Sequence, residues 1–136
     1  MRTDIWAVLH VPLPGSEHHD FLRRQIPHSS FQALADLLCM DQKALGTYLG
    51  ISDETLIKRA KKGFFSVRES KRLEALIAVV QSSVELFEGD VQAAAAFLRS
   101  PSRAFNSKAP LEMLDAGGDA GAIIDLIGRL EHGIVV

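Results

Sequence analysis

The chain has 136 residues, 15 Lys and Arg against 17 Asp and Glu, a formal net charge of -2 and one cysteine. That length can bury one compact domain, or two small ones sharing a core, without a covalent staple, and the lone Cys39 excludes an internal disulfide. No segment approaches the ~20 apolar residues that span a bilayer, and the early run IWAVLHVPLPG is too short and too broken by His10 and Pro12 for a secretory signal, so the sequence reads as a soluble protein of a reducing, cytoplasmic setting.

The first stretch, residues 1–28, is expected to be an irregular arm. Pro12, Pro14, Gly15 and Pro27 punctuate it, with one short extended piece between Ile5 and Leu13. The arm either packs on the domain or joins a neighbouring chain. Helical spacing begins with Phe31, Leu34, Ala35 and Leu38 behind Ser29 or Ser30 as a cap. Cys39, between Leu38 and Met40, is expected to be a structural thiol rather than a reactive one.

A second helix is expected from about Asp41 to Leu49, with Leu45 and Leu49 inward. Gly50 breaks it. Ser52 or Asp53 caps a third helix that ends at Gly63. Gly50 suits a tight turn, Gly46 a close helix contact, and Leu45, Leu49, Ile51 and Leu56 an apolar wedge between two helices. This is the layout of a helix-turn-helix, which lays the start of its second helix against base edges in the major groove. Ser52, Asp53 and Thr55 would occupy that position, and Lys58, Arg59, Lys61 and Lys62 would reach bases or phosphates. Charge supports the reading. Residues 41–72 hold eight Lys and Arg against four acids, residues 1–40 three against four, and residues 73–136 four against nine. A polyanion senses such a local patch rather than the total. Asp53 and Glu54 run against it, although both suit a helix N-terminus.

Ser66, with Glu69 at the capping-box spacing, opens a long helix with an inner stripe of Leu73, Leu76, Ile77, Val80, Val84 and Phe87. Asp90 caps a shorter helix with Val91, Ala94, Ala95 and Leu98 on one face, and Pro101 follows its end. Pro110 opens another short helix, stopped by Gly117 and Gly118. Asp119 caps the last one, with Ile123, Leu126, Ile127 and Leu130 inward and Gly133 ending it. The fold class expected is all-α with about seven helices: a helix-turn-helix domain over 29–83 and a small helical domain over 84–136.

The run VELFEGDVQAAAAFLRSPSRAFNSKAPLEMLDAGGDAGAIIDLIGRLEHGIVV resembles the toxin-binding domain of the Xre/MbcA/ParS antitoxins. Its marks are Phe87 and Gly89 before a helix, the Phe97-Leu98 pair, Pro101, the loop Ala104 to Asn106, the turn Ala109-Pro110-Leu111, then Met113-Leu114, and a last helix closing on Arg129, His132 and Gly133. The resemblance implies an antitoxin without enzymatic activity. It implies that the chain neutralises a RES-type, NAD-consuming toxin by covering its active-site opening, and that it represses its own operon through operator DNA. It also implies a larger assembly, and a helix-turn-helix that reads paired half-sites through two-fold symmetry gives the expectation of a homodimer or larger species. Toxin contact would fall on Phe105, Asn106, Pro110, Leu111, Arg129, His132 and Gly133, with Phe105 as a candidate apolar anchor on a loop. Family members commonly carry tryptophan at the Phe97 position and glycines near Ala104, and both are missing. A free-standing transcription regulator that dimerises through its C-terminal half is the rival reading, and an interaction module without DNA is a third.

No other motif carries chemistry. AGGDAG, residues 116–121, lacks the strand and lysine of a phosphate loop. His10, His18, His19 and His28 fit no zinc spacing, and His132 beside Glu131 has no nucleophile near it. Neither a metal nor a cofactor is expected.

Overall fold

The computed structural model describes residues 4–11, 25–115 and 120–131. Among them are eight α-helices, one short 3-10 turn and no strand. The fold is all-α, as the helical periodicity predicts.

The arm departs from expectation at its start. Asp4 caps a single helical turn, α1 (Ile5–Val8), by accepting from the Ala7 N–H. Ile5, Trp6, Leu9 and Val11 are buried, and the Ile5 N–H donates to Gln81 Oε1 at 2.7 Å. Residues 4–11 therefore pack on their own domain, as helix rather than extended chain. Residues 1–3 and 12–24 of the arm, with Pro12, His18 and His19, lie outside the described residues.

Helix α2 (His28–Leu37) begins behind Pro27, without a side-chain cap. Ser30, one of the two expected caps, is instead buried and donates its hydroxyl to the Leu9 carbonyl at 2.9 Å, which ties the arm to the bundle. The helix ends in a left-handed turn at Cys39, φ 55°, with the Met40 N–H closing on the Ala35 carbonyl. That turn swings the Cys39 side chain into solvent.

Helix α3 (Gln42–Tyr48) is capped by Asp41 and closes at Gly50, φ 70°. Helix α4 (Asp53–Lys62) starts at Ser52, whose hydroxyl accepts from the Thr55 N–H, and stops at Gly63, φ 98°. Ser66 and Glu69 form the full capping box of α5 (Val67–Leu86). Asp90 caps α6 (Val91–Arg99). The 3-10 turn (Arg103–Phe105) leads to α7 (Pro110–Asp115) and α8 (Ala120–Glu131). Gly117, Gly118 and Asp119, expected to stop α7 and cap α8, lie outside the described residues.

Helix α5 is the hub: α1, α6 and α8 all pack on it. Leu73, Leu76, Ile77, Val79, Val80 and Val84 are buried against these partners. Helix α7 packs on α6 and α8 but also on α3. The core is consequently one continuous cluster from Ile5 to Ile127. One aromatic group in it joins His28, Phe31 and Phe65. A second joins Phe87, Phe97 and Phe105. No described helix is long and apolar enough to cross a membrane.

Candidate functional site

Helices α3 and α4 pack together through the turn at Gly50, over the stretch expected to be a helix-turn-helix. Leu45, Leu49, Ile51 and Leu56 are buried as its wedge, and the Ile51 N–H closes the turn on the Gly46 carbonyl at 2.8 Å. Three polar contacts set the pose of α4. Lys43 Nζ lies 3.3 Å from Asp53 Oδ2 across the two helices. Arg72, reaching from α5, donates Nη1 to the Leu49 carbonyl at 3.1 Å and lies over Gly50, where an added Cβ would sit 3.2 Å from that nitrogen. At the far end of α4, Arg59 grips Glu69 in a fork, Nε to Oε1 at 2.6 Å and Nη2 to Oε2 at 3.1 Å.

The Arg59 fork corrects one expectation. Arg59 does not stand free to meet DNA: its side chain is 23% exposed and that of Glu69 14%. Burial pushes the Glu69 carboxyl up. The hydrogen bonds from Arg59 and Ser66, with the Arg59 charge, outweigh that and hold it below its ordinary value. The same hydrogen bond from Arg59 raises the guanidinium further above its usual range. Two charges that stabilise one another this way form a bracket between α4 and α5.

The remaining α4 residues face outward. Ser52, Asp53, Lys58, Lys61 and Lys62 are exposed and Thr55 is half-buried. The Ser52 hydroxyl donates to Thr55 Oγ1 at 3.0 Å. Lys62 is held over the Phe64 ring, 5.3 Å from its centroid. Lys58, Lys61 and Lys62 thus keep their charges in water beside α4, as a phosphate-facing set requires, while part of the Asp53 charge is met by Lys43. Ile57, which no sequence motif singles out, is the surprise of this face: it is 58% exposed.

The C-terminal residues sort differently. Phe105 is 2% exposed and packs edge-on against Phe97, ring centroids 6.0 Å apart. It is a core residue, not an apolar anchor offered to a partner, and this corrects the expectation of a loop anchor. Pro110 and Leu111 are buried with it. These three support the loop from below.

The loop is a closed ring over residues 102–108. Ser102 and Lys108 bridge its ends, and the Ser107 N–H donates back to the Ser102 carbonyl at 2.9 Å. Asn106 and Ser107 both take left-handed backbone, φ 55° and 63°; asparagine tolerates that region better than most residues. Arg103, Asn106 and Lys108 are exposed on the ring, and Arg129 is exposed on α8. His132 and Gly133 lie outside the described residues. Among the described residues no cluster of three or more His, Cys, Asp or Glu is placed to hold a metal.

Known proteins match both parts. The family model described as Antitoxin Xre/MbcA/ParS C-terminal toxin-binding domain matches residues 82–133. A protein named Antitoxin Xre from Photorhabdus laumondii subsp. laumondii is 29% identical over 133 residues, covering 96% of this chain and 90% of that one. A second Antitoxin Xre, from Yersinia enterocolitica serotype O:8, is 34% identical over 86 residues, 62% of this chain and 58% of the relative.

Proposed function

We propose, from the match of residues 82–133 to the Xre/MbcA/ParS antitoxin toxin-binding domain and the likeness to two Xre antitoxins, that the chain is an antitoxin of this family, that it binds and neutralises a RES-type, NAD-consuming toxin in the cytoplasm, and that it represses its own operon through α4. The supporting observation is a toxin-binding domain match built onto a helix-turn-helix whose second helix keeps three lysines in solvent. Toxin contact lies on residues 84–136, with Arg103, Asn106, Lys108 and Arg129 as the side chains that can touch it. Phe105, Pro110 and Leu111 hold that surface in shape. DNA contact lies on Ser52, Asp53, Thr55, Lys58, Lys61 and Lys62. A homodimer or larger assembly would present two such helices to paired half-sites.

The test is expression of this chain beside the toxin gene from its own operon, scored for growth and for cellular NAD, with repression of an operon-promoter reporter measured in parallel. Rescue of growth with NAD preserved supports the antitoxin reading. Full repression without any rescue would make the protein a free-standing regulator. Changing Lys58, Lys61 and Lys62 together to alanine should leave rescue intact, weaken operator binding and flatten its salt dependence by ~0.9 in slope for each phosphate that is no longer neutralised. Unchanged affinity and slope would confine the lysines to a solvated face.

A further inference from the structure

Ile57 stands in the middle of α4 and contributes nothing to the core. With Val8 it is one of two large apolar side chains exposed by more than half among the described residues. Leu56 already fills the space against α3, so the fold has no use for a second apolar residue beside it. A β-branched side chain at an exposed helical position is also a mild local cost, since it loses rotamer freedom against the preceding turn. Helical spacing puts Ile57 on one stripe with Glu54, Lys58 and Lys61, and all four are exposed. The apolar group is therefore set among cations, at the centre of the outward face of a helix-turn-helix's second helix.

We infer that Ile57 is a sequence-reading residue whose partner is the C5-methyl group of a thymine in the major groove. The inference rests on the reading that α4 faces DNA, and it adds to it. Lysines at Lys58 and Lys61 supply charge but distinguish no base pair from another at the phosphates. The thymine methyl is the apolar feature of the major-groove edge, and an aliphatic side chain is the group that recognises it. The flanking lysines decide for a polyanion over an apolar protein surface as the occupant. Glu54, on the same stripe, can accept from a cytosine amino group, so the face reads a mixed edge rather than a run of one base.

Duplexes bound by the full-length protein are first selected from a random-sequence pool. In a selected duplex each thymine is then replaced singly by uracil, which deletes the methyl and keeps every hydrogen-bonding group. One thymine per half-site should respond, with affinity falling about fourfold, the worth of one buried methyl-sized group. The Ile57→Ala protein should show unaltered helicity, an unaltered salt slope, weaker binding to the thymine duplex, and no response to uracil at that position.

Equal uracil effects in both proteins, or none at any position while salt-dependent binding persists, would overturn the role of Ile57 and leave DNA binding standing. Absence of any salt-dependent duplex binding would remove both. If Ile57→Ala leaves duplex affinity intact but changes the protein's self-association or its hold on the toxin, the exposed isoleucine belongs to a protein interface and the inference fails.

Discussion

Gly46 faces Leu56 so closely that a Cβ added to it would fall 2.9 Å from Leu56 Cδ1 and 3.1 Å from the Ile51 carbonyl oxygen. The leucine is a side chain that can give way; the carbonyl belongs to the turn and cannot move without changing the angle between α3 and α4. Gly46→Ala should therefore destabilise the protein by roughly 1–3 kcal/mol through overpacking, despite the better helix propensity of alanine. Urea unfolding reads this directly. A variant as stable as the parent would mean that Leu56 rotates aside and the turn is not strained.

The Arg59–Glu69 fork should show as coupling in a double-mutant cycle. Arg59→Ala, Glu69→Ala and the double variant, compared by denaturant unfolding, should yield an interaction of about 1–2 kcal/mol. Glu69→Ala costs extra on its own, because the capping box of α5 goes with it. Arg59→Lys should not restore the coupling, since an ammonium cannot make two parallel bonds to a carboxylate. Coupling near zero would return Arg59 to the solvent and to the candidate DNA contacts.

Phe105→Ala should cost about 3–5 kcal/mol, the usual penalty for emptying an aromatic site in a packed core. Any loss of toxin protection would then follow from loss of structure around α6 and α7, visible as a lowered melting temperature. Arg103→Glu with Lys108→Glu makes the complementary case. Both side chains are exposed, so melting should barely change, while binding to purified toxin should weaken roughly tenfold or more if the ring touches it. Intact binding by the double variant would move the toxin contact off residues 102–108.

Acid should weaken the fold in two steps. Burial holds the His28 imidazole below its ordinary 6.5, so the unfolded chain takes up a proton before the folded one does. Stability is complete above that value and falls as the pH drops below it. Glu69 titrates in the fold below its ordinary 4.5; its contribution is complete above 4.5 and disappears as the pH falls through the lower folded value. Unfolding midpoints followed from neutral to acid pH should show both. His28→Phe should remove the upper decline and Glu69→Gln the lower. A His28→Phe protein with the parent's profile would assign the upper decline to another group.

Helix starts are legible in the sequence because caps are local: Asp41, Ser52, Ser66 and Asp90 each accept from a backbone N–H two or three residues ahead. So are Gly46 and Gly50 where α3 meets α4, since a left-handed turn and a close contact leave few other choices. What depends on distant partners is not legible. Ile5 meets Gln81 from 76 residues away, and no local pattern announces a one-turn helix before three prolines. Charge alone groups Arg59 with its lysine neighbours, although its position three residues after buried Leu56 turns it toward α5. Phe105 reads as loop because the residues around it lack helical spacing; the ring closed by Ser102 and Lys108 folds it inward. In the C-terminal site the frame is easier to identify than the surface, since aromatic residues that are easy to notice in sequence are the ones a core claims.

The packing of α7 on α3 bears on how such a chain is inherited and how it is destroyed. The faces of α5 that hold α6 and α8 would be laid bare if residues 84–136 were cut away, and α3 would lose its cover from α7 as well. Neither half is a free cassette that a genome can shuffle onto a new partner without rebuilding the seam. In the cell the same continuity makes degradation a single event: once a protease opens the chain at the seam, both halves lose their packing together, and neither outlives the other as a folded piece.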